Sequence, residues 1–110
     1  MPIDTSSFGR AIASARKELR LSQKELAGKI LKEEGDPITP QYLNDIEHDR
    51  RSPSSDLLVK QFARVLGIDA AALYAASGML PEQDRKLVRK ATPDRVGQAF
   101  VAFRKKLTGD

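Results

Sequence analysis

Apolar residues recur along this chain at helical spacing, and no stretch alternates in the manner of a strand. Ser6 or Ser7 can cap a first helix, in which Phe8, Ile12, Ala15 and Leu19 fall on one face. Ser22-Gln23-Lys24-Glu25 reads as a capping box, with the Ser and Glu side chains satisfying each other's orphan amides. A second helix follows with Leu26, Ala27, Ile30 and Leu31 inward, expected to run to about Glu34 and to stop at Gly35. Asp36-Pro37 then breaks the chain. Thr39 caps a third helix with Pro40 at its first position, where a missing amide costs nothing. Leu43 and Ile46 form its inward face.

Ser54 or Ser55 starts a fourth helix that holds Leu58, Phe62, Val65 and Leu66 and is closed by Gly67. Asp69 caps a short fifth helix carrying Leu73 and Tyr74. At Gly78 the composition changes. Pro81 opens a charged helix holding Leu87 and Val88, and Thr92-Pro93 repeats the cap-then-proline start. Val96, Ala99, Phe100, Phe103 and Leu107 then make an apolar stripe. The expectation is an all-α protein, with a five-helix bundle over 1–77 and a C-terminal helical extension over 78–110.

Composition narrows the function classes. With 110 residues and 40% hydrophobic content, the chain can bury a modest core. It has no cysteine, so disulfides and thiolate metal sites are excluded, in keeping with a reducing cytoplasm. The N-terminal MPIDTSSFGR has no apolar run, and no stretch approaches a membrane span. The net charge is +4. Residues 1–78 balance to zero and the tail carries the whole excess, so charge alone argues only weakly for a polyanion partner. No glycine-rich phosphate loop is present. His48 is the single histidine, too little for a metal site or a catalytic pair. The expectation is a protein that is not an enzyme and has no metal or cofactor.

Function is carried by three segments in order. Leu21-Ser22-Gln23-Lys24-Glu25-Leu26-Ala27 is followed by Ile38-Thr39-Pro40-Gln41-Tyr42-Leu43-Asn44-Asp45-Ile46-Glu47, and then by His48-Asp49-Arg50-Arg51-Ser52-Pro53. With Leu66-Gly67-Ile68 further on, these resemble the XRE family, the lambda-repressor-like or Cro-type helix-turn-helix regulators. The resemblance covers roughly residues 7–76. It implies a five-helix lambda-repressor-like DNA-binding bundle whose third helix, at 39–48, enters the major groove. That groove admits an α-helix and shows a distinct donor and acceptor pattern at each base pair.

The implied DNA-binding residues are Gln23, Lys24, Thr39, Gln41, Tyr42, Asn44, Asp45, His48, Arg50 and Arg51. Gln41, Asn44 and Asp45 are the candidates for base contact. Gln23 is a candidate for phosphate contact at the start of the second helix, and Arg50 and Arg51 for the flanking backbone. The resemblance also implies an ion pair, Arg16 with Glu47, locking the first helix to the third. Two departures stand out. Asp49 occupies a position where the family usually has glycine, and Asp tolerates the left-handed conformation better than most residues. The step from Ala27 to Ile38 is longer than usual, which is read as a lengthened second helix and turn.

The Phe100/Phe103 stripe needs a cover. Val96, Phe100, Phe103 and Leu107 are assigned to a homodimer contact, with folding back on the bundle as the other possibility. The expected function is a dimeric, sequence-specific regulator of transcription, most simply a repressor, reading a palindromic operator on double-stranded DNA. Its expected place is the cytoplasm, at the nucleoid. The alternative is a protein-interaction module: a coactivator-like adaptor, or an antitoxin whose tail grips a protein partner.

Overall fold

A computed structural model describes residues 4–53 and 55–109. The described residues form seven helices: α1 (Phe8–Glu18), α2 (Gln23–Lys29), α3 (Pro40–Glu47), α4 (Asp56–Leu66), α5 (Ala70–Ser77), α6 (Glu82–Lys90) and α7 (Pro93–Thr108). They fall into two compact units, Met1–Leu80 and Pro81–Asp110. The protein is all-helical, and its first unit has the five-helix lambda-repressor-like arrangement.

Local chemistry places the helix starts. Ser7, Ser55, Asp69 and Thr92 cap α1, α4, α5 and α7 through their side-chain oxygens. The alternative fourth-helix cap, Ser54, lies outside the described residues. Ser22 and Glu25 form both halves of the capping box at α2, and Ser22 holds the Glu25 carboxyl below the usual carboxylate range. That ionised lock persists at neutral pH and is lost as the medium is acidified through the range where the carboxyl titrates. Thr39 accepts the Tyr42 amide, with Pro40 opening α3. Gly67 and Gly78 close α4 and α5 in the left-handed conformation.

Packing outweighs these caps. A cap contributes about 1 kcal/mol, whereas each large apolar side chain fully buried contributes about 1.5–3 kcal/mol. Ile12, Leu26, Ile30, Leu43, Ile46, Val59, Phe62 and Leu73 are fully enclosed. α1 lies at the centre, packed on α3, α4 and α5, while α2 packs on α3. Phe8 meets Phe62 edge-on, with ring centres 6.0 Å apart. The Tyr74 hydroxyl donates to Asp56 at 2.7 Å, tying α5 to the start of α4.

Four sequence expectations are corrected. The second helix does not run to Glu34. It ends at Lys29, where Ile30 turns extended with φ −110° and ψ 118°. Ile30 and Ile38 are both buried, and the Ile38 amide donates to the Ile30 carbonyl at 2.9 Å, so the chain doubles back on itself. Leu31 pairs with Pro37 across an antiparallel bridge. Gly35, expected as a helix stop, is the tip of that loop, at φ +99°. The nearly buried Gln61 of α4 acts as a substitute strand: its amide oxygen accepts the Leu31 N–H at 2.8 Å and its amide nitrogen donates to the Leu31 carbonyl.

Leu31 itself is 42% exposed, because the extended backbone turns it away from the face that a continued helix would have given it. Leu19 is also out in solvent, at 50% exposure. α1 stops at Glu18, and Arg20 adopts φ +57°, so Leu19 leaves the stripe, while Ala11 joins Phe8, Ile12 and Ala15 in the core.

In the second unit, Thr92 accepts the Arg95 amide and Pro93 opens α7. No residue of α6 or α7 is buried. Phe100 and Phe103 meet edge-on with ring centres 6.4 Å apart.

Candidate nucleic-acid interface

α3 turns Leu43 and Ile46 into the core and leaves a polar edge. Along that edge Gln41 and His48 are exposed, while Tyr42, Asn44 and Asp45 are half-buried. The sequence-predicted residues gather into two hydrogen-bonded clusters.

The first cluster is built on Arg16 and Glu47, which the structure brings together. Arg16 Nε donates to Glu47 Oε2 at 2.7 Å and Nη2 to Oε1 at 3.0 Å, a two-pronged contact. Arg16 Nη1 also donates to the Leu21 carbonyl at 2.9 Å. The Arg16 and Glu47 side chains are only 12% and 3% exposed, so the pair is shielded from water. Gln23 joins it: its Nε2 donates to Glu47 Oε1 at 2.9 Å and to Asn44 Oδ1 at 3.0 Å. One network therefore joins α1, the start of α2 and the outer edge of α3.

The second cluster centres on Asp45. Its carboxylate accepts from Gln41 Nε2 at 3.1 Å and from Arg50 Nε at 3.1 Å, and lies 3.7 Å from Arg51 Nε. The Arg51 guanidinium also sits over the Tyr42 ring, 5.3 Å from its centre. Arg50 and Arg51 stay more than half exposed, so both remain open to an anion. The remaining predicted residues stand apart from these clusters. Lys24 is exposed in the first turn of α2, and Thr39 is the cap of α3. The His48 ring Nδ1 lies 2.8 Å from the Asn44 carbonyl at the end of α3. Val96, Phe100, Phe103 and Leu107 lie on α7 in the second unit.

Asp49 has φ +57°, the left-handed conformation expected from its place in the motif. Its side chain has a further role that the sequence did not show. Its carboxylate accepts from Ser7 Oγ at 2.6 Å and from the Gly9 amide at 3.0 Å, anchoring the start of α1 to the turn after α3. Sequence reasoning also missed Arg10 and Lys17. They line a groove of about 500 Å³ together with Gln23 and His48, beside the polar edge of α3. Their spacing of seven, which places both on one face of α1, was the available signal. Among the described residues no cluster of His, Cys, Asp or Glu could hold a metal, and no helix is long and apolar enough to cross a membrane.

A family model described as helix-turn-helix matches residues 12–73, more than half of the chain. The chain belongs to the helix-turn-helix family, of the XRE type. An uncharacterized HTH-type transcriptional regulator of Mycobacterium tuberculosis is 33% identical over 83 residues, covering 76% of this chain and 54% of that protein. The immunity repressor protein of Bacillus phage phi105 is 31% identical over 101 residues, covering 92% of this chain and 65% of the repressor. Multiprotein-bridging factor 1 of Candida albicans is 42% identical over 62 residues, covering 56% of this chain and 36% of that protein. This helix-turn-helix chain thus spans about half the length of the first of these relatives. No solved structure gives a significant match. Within the family frame, α2 and α3 are the paired helices of the motif, and the bridged loop from Ile30 to Ile38 replaces the short turn between them.

Proposed function

We propose that this helix-turn-helix protein is a DNA-binding regulator of transcription that reads duplex sequence through α3, acting as a repressor at the nucleoid. The observation that carries this reading is the polar edge of α3, with Gln41 exposed and Asn44 half-buried along it and Leu43 and Ile46 anchoring the back face. Such a helix fits the major groove, where amide side chains find partners on base edges. Lys24, Thr39, Tyr42, His48, Arg50 and Arg51 flank it and serve the phosphates on either side, while the Gln23 amide nitrogen is engaged by Glu47 and Asn44 and ties Asn44 to the buried pair. Relatives named as a transcriptional regulator and an immunity repressor support the same reading.

Two substitutions separate base reading from backbone binding. Gln41→Ala should cost about 1–3 kcal/mol on the preferred site and relax preference at one base pair. Arg51→Ala should weaken all duplexes alike and lower the salt slope by about one unit. Competition binding over a salt series checks both. Unchanged preference in the Gln41 variant would remove Gln41 from the base contacts.

The reading includes a homodimer, because one recognition helix reads few base pairs and two symmetric copies read a palindrome. Val96, Phe100, Phe103 and Leu107 on α7 are the contact, a stripe too apolar to stand in water as a surface. Sedimentation of the full chain at tens of micromolar should show a dimer, and Phe100→Asp with Phe103→Asp should show a monomer. A monomeric unsubstituted chain would reject the assignment.

A second reading is favoured by the relative named multiprotein-bridging factor and by the same exposed stripe. On that reading the chain is an adaptor that uses α7 on a protein partner, and it shows no preference among duplexes.

A further inference from the structure

We infer that α1 belongs to the nucleic-acid interface: Arg10 and Lys17 form a cationic lip beside α3, and the groove they border seats one strand of the duplex backbone. This rests on the reading that α3 lies in the major groove. That groove is about 12 Å wide, and a helix with its side chains is about 10–12 Å across. α3 therefore fills it, and whatever stands beside α3 on the same side of the protein meets phosphates.

α1 stands beside α3. The Gly9 amide donates to Asp49 at 3.0 Å and Arg16 Nε donates to Glu47 at 2.7 Å, so α1 is tied to the end of α3 at both of its own ends. The groove of about 500 Å³ lies at this seam, within the first unit. α1 lines it with Arg10, Ser14 and Lys17, and α2 and α3 line it with Gln23 and His48. Gln23 is bonded in turn to Asn44 on the polar edge, so the groove adjoins that edge.

The acids of the groove are occupied and its outer cations are not. Glu47 is held by Arg16 and Gln23, Asp49 by Ser7 and Gly9, and Asp4 by Ser6. Lys17 is exposed and makes no ion pair among the described residues. Arg10 approaches Asp4 only to 3.9 Å, with the two side chains 67% and 50% exposed, and a pair so open to water holds weakly.

Placement supports the same reading. Arg10 lies in the first turn of α1, where a cation opposes the helix dipole and gains nothing within the fold. Such a break with a local rule marks a residue kept for another purpose. Seven residues separate Arg10 from Lys17, about 10 Å along the helix. Phosphates of one strand recur every ~3.4 Å of duplex axis, so the two cations meet different phosphates.

The test is binding of the full chain to random duplex and to its selected sites over a salt series. Arg10→Gln with Lys17→Gln should lower the salt slope by about two units and the affinity at about 0.1 M salt by about tenfold or more, alike for every sequence. The base preferences should not move. Arg10→Lys with Lys17→Arg keeps both charges and should keep the slope. Lys60→Gln with Arg64→Gln makes the same change in net charge at exposed positions of α4 outside the groove, and should lower the slope by less than about half a unit.

An unchanged slope in the Arg10 and Lys17 glutamine variant would overturn the inference. So would an equal fall in the α4 variant, which would assign the effect to net charge alone. Random duplex needs no base reading, so the lip is tested separately from α3. An unsubstituted chain with the full slope but no sequence preference would remove base reading by α3 and leave the lip standing. A chain that binds no duplex would overturn both.

Discussion

Replacing Gly9 by alanine should destabilise the bundle by about 3 kcal/mol or more, enough to lower its melting temperature by roughly 10–20 °C. In α1 this glycine is a poor helix former, and on propensity alone alanine would stabilise by about 1 kcal/mol. Tertiary contact reverses the sign. A Cβ at Gly9 would lie 2.3 Å from the Ile46 carbonyl oxygen, 2.6 Å from that of Glu47 and 2.7 Å from Asp49 Oδ1. Two of these are backbone atoms at the end of α3 and cannot swing aside. The Gly9 amide also donates to Asp49 at 3.0 Å, so moving α1 away to make room breaks that bond as well. The start of α1 and the end of α3 are thus in contact at a point where only hydrogen fits. Calorimetric melting of the two proteins decides the matter. An alanine variant that melts at or above the temperature of the unsubstituted chain would mean that α1 and α3 do not meet this closely.

The second large effect is expected at the buried ion pair. Arg16→Met should cost about 3–5 kcal/mol, because it leaves Glu47 buried without its counter-charge. Domains of this size have a total stability of about 5–15 kcal/mol, so the single variant should stand near the edge of unfolding. Losing Arg16 also removes the bond to the Leu21 carbonyl at 2.9 Å, which pins the turn ahead of α2. The double variant Arg16→Met with Glu47→Leu should recover much of the loss, since apolar replacement of both partners leaves no stranded charge. Urea unfolding of the single and double variants measures the difference. A single variant that loses less than about 1 kcal/mol would show a pair open to water. A double variant no better than the single would show that the loss comes from packing and not from charge.

These two effects mark where the sequence was legible. The helix starts were readable because each rests on a local rule. Ser22 with Glu25, Thr39 with Pro40, Ser55 and Asp69 all act within one helical turn of their own position. The outer residues of α3 were readable from the ordered segments around them. The loop from Ile30 to Ile38 was not. Leu26, Ala27, Ile30 and Leu31 fit a helical face, and what ends the helix is the burial of Ile38 and the clamp by Gln61, far along the chain. Gly9 carries no local signal in the sequence, because its contact with α3 exists only in three dimensions. Asp49 was legible as a left-handed residue but not as an anchor for α1, since its partners Ser7 and Gly9 lie about forty positions away. The candidate site followed the same division. Its residue types were legible in the sequence, while the bonds that join Arg16, Gln23, Asn44 and Glu47 came from packing.

The central claim is that α3 reads duplex sequence, and it is tested most directly by the ratio of two affinities. Equilibrium binding of the full chain to enriched genomic fragments and to random duplex is measured at one fixed salt concentration, where phosphate contacts contribute equally to both. A sequence-reading regulator should bind its best fragment about a thousandfold or more tightly than random duplex. A ratio close to one would contradict the claim and leave the polar edge of α3 to another partner.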